Sequence, residues 1–229
     1  MKKKYDIILF DADRTLYDFD KSEETALRLL LESLGFELTE STYSLYKKIN
    51  SELWAEFERG ERKNSTIAPT RFTRFFQALD LPFDPEKAAD DYFDLLSRQQ
   101  FLIFGAYGLC EKLYGKVDMY IVTNGVEKVQ TRRFQDSRLA PFFKGVFISE
   151  ALGAAKPSHE FYDRVLEKIG NPPRDKILTV GDSATADIKG ANNAELDACY
   201  FSPKSVPLPD GIHAEYIVST LSEIENIIL

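Results

Sequence analysis

With 229 residues, 44% hydrophobic, 29% charged and a formal charge of −8, the chain suits one large globular domain, or one domain carrying an insert. The acidic balance excludes a protein that grips a nucleic-acid polymer through a basic face. No stretch approaches the ~20 apolar residues of a membrane span.

The start, Met1 to Lys4, is basic, but the apolar run Tyr5–Phe10 is too short for a secretion signal and Asp6 interrupts it. The chain is expected in the cytoplasm, with Cys110 and Cys199 as buried reduced thiols. Tyr5–Phe10 reads as a strand buried on both faces. Asp11 and Asp13 follow it directly, at the carboxyl end, where open α/β sheets bind ligands. Taken alone, they are a metal site, a nucleophile with its acid/base partner, or turn caps.

From about Tyr17 to Ile103 no strand run appears. Helical patterns cover about Ser22–Leu34, Thr42–Arg59, Thr70–Leu79 and Pro85–Ser97. Asp20 to Glu23 resembles a capped start, and Asp84 before Pro85 pairs an N-cap with a first-turn proline. Aromatics at helical spacing here, Trp54, Phe57, Phe72, Phe75, Phe76, Tyr92 and Phe93, are core, with one or two free to stack on a base. Arg71 and Arg74 are surface charges or anion contacts.

Beyond the insert, strands are expected at Met119–Val122, Val146–Ile148, Ile177–Val180, Ala198–Phe201 and Tyr216–Val218. Phe161, Val165 and Ile169 recur on one helical face, with Ser158 able to cap and Gly170 to close that helix. Strand and helix alternate as in a parallel sheet covered on both faces. The expected class is α/β: a Rossmann-like three-layer core from residues 1–16 and 104–229, and a four-helix cap from 17–103. Hinges are expected near Thr15–Asp18 and Phe101–Gly105.

Polar groups recur where these strands end. They are Asp11 and Asp13, then Thr123-Asn124-Gly125, then Lys156-Pro157, then Gly181-Asp182 with Asp187. Four carboxylates cannot all stay ionised in one cleft without a counter-charge. Lys156 supplies one charge, and hard oxygen ligands favour Mg2+ for the rest. Such a set suits a dianionic phosphate held by Mg2+, Lys156, Thr123 and backbone amides. Asp11 would attack phosphorus, and Asp13 would protonate the leaving oxygen and then activate water. His159 is a first-turn helix residue and His213 a loop residue, with no histidine metal site.

At these residues the chain resembles the haloacid-dehalogenase superfamily, whose four motifs it matches in order. The resemblance implies a Mg2+-dependent phosphotransfer site and a helical cap. Asp11, Asp13, Asp182 and Asp187 would serve the metal, Asp13 through its backbone carbonyl. Asp11 and Asp13, with Lys156, would be catalytic, and Thr123, Asn124 and Lys156 would hold phosphate. The flanks Asp11 to Asp20 and Ile148 to Pro157, with Trp54 and Gly60, are similar to a bacterial pyrimidine 5′-nucleotidase subgroup. That likeness implies hydrolysis of nucleoside 5′-monophosphates, pyrimidines preferred and noncanonical ones included. Arg14, Tyr17, Phe19 and Trp54 are candidate substrate contacts.

Arg14 stands where small or acidic residues are usual, and Glu195 where the family commonly has glycine. Asp13 weighs against haloacid substrates, because dehalogenases of this superfamily lack the second aspartate. The alternatives are a sugar phosphatase or phosphomutase on the same core, and a non-enzymatic phosphate-sensing module. The partner is a small phosphomonoester, and the chain is a monomer or weak homo-oligomer.

Overall fold

The computed structural model describes residues 4–229; the basic Met1, Lys2 and Lys3 lie outside the described residues. The chain divides into two compact units. One comprises Met1–Phe19, Phe101–Glu127 and Phe134–Leu229, and the other Asp20–Gln100 with Lys128–Arg133.

The first unit is built on six parallel strands. They are β1 (Ile7–Phe10), β2 (Asp118–Thr123), β3 (Gly145–Ile148), β4 (Ile177–Gly181), β5 (Asp197–Phe201) and β6 (Tyr216–Val218). Their order is β3-β2-β1-β4-β5-β6, so β1 is central and pairs β2 and β4 in parallel. All four residues of β1 are buried, as an apolar run in a doubly covered sheet requires. Alternate side chains serve opposite cores. Ile8 and Phe10 pack with α5 (Ala106–Leu113) and α10 (Leu221–Ile228). Ile7 and Leu9 pack with α8 (His159–Lys168) and α9 (Lys189–Asn193). Ser158 caps α8 by accepting the Glu160 N–H, and Gly170 follows it with φ +90°.

The second unit holds α2 (Glu40–Glu58), α3 (Ile67–Ala78), α4 (Pro85–Ser97) and, from Asp20 onward, α1 (Phe19–Ser33). Helix α4 runs as expected, with Asp84 accepting from the Glu86 and Lys87 N–H groups. Helix α2 starts two residues earlier than the sequence suggested. Thr39 and Thr42 form a reciprocal capping box that moves its start to Glu40. Helix α3 starts three residues early, because Pro69 sits in its first turn, where a missing N–H is tolerated. Of the aromatics expected in the core, Phe72, Phe75, Phe76 and Tyr92 are buried, whereas Trp54, Phe57 and Phe93 are only partly so; Tyr46 joins the buried set. No described helix is long and apolar enough to cross a membrane.

Candidate active site

Strand β1 delivers Asp11 at its carboxyl end, where the Asp11 N–H still donates to the Val180 carbonyl at 2.8 Å. The chain then folds into a tight turn. The Ala12 carbonyl accepts from both the Leu16 and Tyr17 N–H groups, and the Arg14 N–H donates to the Tyr17 carbonyl at 2.8 Å. This turn holds Asp13 half-buried beside Asp11 in sequence. Arg14 has φ +65°, a left-handed conformation unfavourable for a residue with a Cβ. Its side chain is exposed and its guanidinium stacks on the Phe19 ring at 4.9 Å.

Lys156 is the pivot. It is 3% exposed, and its ammonium donates to Asp11 Oδ1 at 2.7 Å, Asp187 Oδ1 at 2.6 Å and the Val122 carbonyl at 2.9 Å. All three of its protons are therefore directed. Asn124 fixes the backbone of Lys156 reciprocally. Its Nδ2 donates to the Lys156 carbonyl at 2.8 Å, and its Oδ1 accepts the Lys156 N–H at 2.9 Å. That clamp was not legible in the sequence, which offered Asn124 as a phosphate ligand.

Strand β4 brings Asp182 alongside. Asp187 lies in a π-helical turn, Ala184–Ile188, and its Oδ2 accepts the Ser183 N–H at 3.0 Å. Gly181 makes room for this. A Cβ there would lie 2.3 Å from Asp187 Cγ and Oδ2. Tyr162, from α8, donates to the Asp187 carbonyl at 3.3 Å. Asp11, Asp182 and Asp187 each offer a carboxylate oxygen, all within 4.8 Å of one another.

The electrostatics follow from this crowding. Burial pushes the Asp11 carboxyl well above its ordinary range; Lys156 opposes this, while Asp187 and Asp182 reinforce it. Burial, then Asp187, pushes Asp182 up to about 7, against the pull of Arg14 and Lys156. Burial works against the charged form of Lys156, yet Asp11 and Asp187 outweigh it and hold its pKa above the usual lysine value. Three carboxylates and one ammonium leave two negative charges. At an effective dielectric of about 20, each ionised carboxylate pair near 4.8 Å repels by about 3–4 kcal/mol. A donor set of hard oxygens with surplus negative charge fits a divalent cation such as Mg2+.

Other expected residues fall as follows. The Thr123 hydroxyl is buried and accepts the Gly125 N–H at 3.0 Å, which leaves its own proton to give. Helix α6 (Glu127–Gln135) does not present a wholly free amino end, because Glu150 Oε2 accepts the Glu127 N–H at 2.6 Å. Tyr17 is not an open substrate contact. It is 1% exposed and its hydroxyl donates to Ser137 Oγ at 2.7 Å. It also bridges to Asp13 and to Leu102, where the two linkers meet. Trp54 belongs to the helical unit, half-buried and edge-to-face with Phe57 at 5.5 Å. Glu195 has φ +54°, which explains why glycine is common at this turn. Cys110 and Cys199 are free and buried, and burial pushes both thiols up to about 12.

A three-layer parallel sheet with carboxylates and a lysine at its carboxyl edge defines a hydrolase of the phosphotransfer type. The family model of haloacid dehalogenase-like hydrolases matches residues 5–195, and the chain belongs to that family. It is thus an enzyme, which sets aside the non-enzymatic phosphate-sensing reading. A crystal structure of the HAD-hydrolase YfnB from Bacillus subtilis, described as bound to magnesium, superposes with a TM-score of 0.93 at 38% identity, covering 99% of each chain. Pyrimidine 5′-nucleotidase PynA of Streptococcus pneumoniae is 36% identical over 87% of this chain and 84% of its own. Pyrimidine 5′-nucleotidase YjjG of Escherichia coli is 31% identical over 98% of each. A more distant relative, at 26% identity over 86% of this chain and 84% of its own, is a ribulose-1,5-bisphosphate 5-phosphatase of Halopiger xanaduensis.

Proposed function

We propose that the protein is a Mg2+-dependent phosphomonoesterase acting on nucleoside 5′-monophosphates, pyrimidines preferred. The observation that carries this is the set of buried Asp11 and Asp187 with half-buried Asp182, gathered at the Lys156 ammonium. The named activities of two relatives over 30% identical support the nucleotide half. Asp11, Asp182 and Asp187 would hold Mg2+, which when bound neutralises charge on the phosphate.

The chain's own residues then do the chemistry. A carboxylate oxygen of Asp11 attacks phosphorus, and the P–O bond to the sugar's 5′ oxygen breaks. Asp13 gives that oxygen a proton. Water then attacks the aspartyl-phosphate, Asp13 takes its proton, and phosphate leaves with Asp11 regenerated. Lys156 holds Asp11 in place through the 2.7 Å contact, and Thr123 offers its hydroxyl proton to a phosphate oxygen. The charged groups are positioned before reaction, which is where most phosphoryl-transfer catalysis lies.

The test is phosphate release from a panel of nucleoside monophosphates and sugar phosphates, with and without a chelator. The proposal expects pyrimidine monophosphates to turn over fastest, chelator to abolish turnover, and Asp11→Asn to be inactive. Faster turnover of sugar phosphates would favour the sugar-phosphatase reading, which the relative at 26% identity supports. Isomerisation without phosphate release would mark a mutase. Activity surviving Asp11→Asn would overturn the mechanism.

A further inference from the structure

One residue holds the segment that carries Asp13 from both sides. The peptide group before Asp13 bonds to Tyr17 through the Ala12 carbonyl, which accepts the Tyr17 N–H at 2.9 Å. The peptide group after Asp13 bonds to Tyr17 as well, because the Arg14 N–H donates to the Tyr17 carbonyl at 2.8 Å. Tyr17 is clasped in turn by the returning linker. The Leu16 carbonyl accepts the Ile103 N–H at 2.9 Å, and the Asp18 N–H donates to the Phe101 carbonyl at 2.9 Å. All of these residues belong to the first unit.

The side chain fixes Tyr17 itself. Its ring belongs to the apolar core that contains Phe10, Ala12 and Leu16, where a phenylalanine ring would fill the same space. Its hydroxyl meets Ser137 Oγ at 2.7 Å, 120 positions away, and both residues are buried. Ser137 Oγ also accepts the Leu139 N–H at 3.1 Å, so its own placement is set. Two apolar side chains would pack here without the desolvation cost of two hydroxyls, so what the bond adds is direction rather than burial. The turn needs that direction. Arg14 sits at φ +65°, and a left-handed residue with a Cβ persists only where its surroundings over-determine it.

We propose that Tyr17, pinned by Ser137, is the positioning residue for Asp13 and sets where its proton meets the departing oxygen. The inference rests on the acid/base role given to Asp13 above, and not on the choice of nucleoside. It goes beyond that reading by assigning a part in the leaving-group step to a side chain that, at 1% exposure, has no surface to offer a substrate.

The experiment compares two esters that differ in one atom, uridine 5′-monophosphate and its analogue with sulfur in place of the bridging 5′ oxygen. An alkoxide needs a proton to leave, whereas a thiolate leaves without one, so only the oxygen ester depends on where Asp13 sits. The readout is the ratio of kcat/KM for the oxygen ester to kcat/KM for the sulfur ester, in which the later hydrolysis of the aspartyl-phosphate, common to both, does not appear. If another ester leads the substrate panel, the same oxygen–sulfur pair is made from that ester, so failure of the nucleotide half leaves the test intact. Tyr17→Phe and Ser137→Ala remove opposite halves of one bond, and Ser137 lies outside the turn. Each should cut the ratio roughly tenfold, because a displaced proton donor forfeits part of its contribution. The double variant should fall no further than either single one. Asp13→Asn should cut the ratio by about a hundredfold or more. A ratio that holds in Asp13→Asn would overturn the acid/base reading of Asp13, and this inference with it. A ratio that falls in Asp13→Asn but stays within about twofold of the parent in Tyr17→Phe or Ser137→Ala, however far stability or overall turnover drops, would make the bond purely structural and overturn this inference alone.

Discussion

Replacing Lys156 by Met tests the electrostatic logic of the site directly. Methionine roughly matches the lysine stem but removes the charge and three donors. In the parent, the ammonium bonds Asp11, Asp187 and the Val122 carbonyl at 2.6–2.9 Å, at 3% exposure. Removing one member of a buried ion pair leaves the other charge uncompensated and typically costs about 3–5 kcal/mol. At roughly 2–4 °C per kcal/mol for a chain of this size, the metal-free variant should melt about 6–20 °C below the parent at pH 8. The sign of the pH dependence follows from the carboxyls, whose ordinary values burial already raises. Without Lys156 they rise further, so the deficit shrinks as pH falls from 8 to 5. Millimolar Mg2+ should also shrink it, because a divalent ion replaces the missing positive charge. Thermal unfolding of both proteins at pH 5 and 8, with chelator and with Mg2+, measures all four cases. A variant within about 2 °C of the parent at pH 8 in chelator would refute the argument that the surplus carboxylate charge governs this site.

Gly181→Ala would place a Cβ 2.3 Å from Asp187 Cγ and Oδ2; the displaced carboxylate should lower kcat roughly a hundredfold, and a kcat within about threefold of the parent would contradict it. Asp182, pushed up to about 7 from 3.8, favours the metal-free fold below about pH 4, and that contribution is lost as pH rises towards 7. A cation must displace that proton, so Mg2+ affinity read by thermal shift should strengthen about tenfold from pH 6 to pH 8; a flat profile counts against it. Tyr17→Phe removes the 2.7 Å bond to Ser137 Oγ and should cost about 1 kcal/mol. Ser137→Ala added on top should cost little more, and full additivity in urea unfolding would show that the bond carries no stability.

The central strands were legible because each is a short apolar run between polar or turn residues, and the sheet buries both faces. The site was legible for a related reason. Asp11, Thr123 and Asp182 each stand at or just past a strand end, so parallel pairing alone gathers them at one edge. What escaped the reading depends on contacts remote in sequence. Tyr17 reads as an aromatic beside the cleft until its bridge to Leu102 and its bond to Ser137, 120 positions away, become known. Arg71 reads as surface because its partners, Asn50 and through it Glu23, lie on other helices. One signal is local. Thr220 and Glu223 form a capping box that starts α10, and Thr-x-x-Glu before an apolar run announces a helix start.

The two buried cations, Lys156 and Arg71, solve the same desolvation problem in opposite ways, and the difference predicts how each responds to loss. Lys156 has every donor directed to an acceptor and faces more negative charge than it can balance. What its surroundings lack is positive charge, so an added cation can partly substitute for it. Arg71 has its charge matched by Glu23 and its faces covered by rings, but two donors are left unmade. What its surroundings lack is an acceptor, so no concentration of Mg2+ should restore an Arg71 variant, whereas a metal-saturated Lys156 variant should regain part of its stability. The charge-poor site and the acceptor-poor site are therefore separable by one titration, because the same ion that repairs the first has nothing to offer the second.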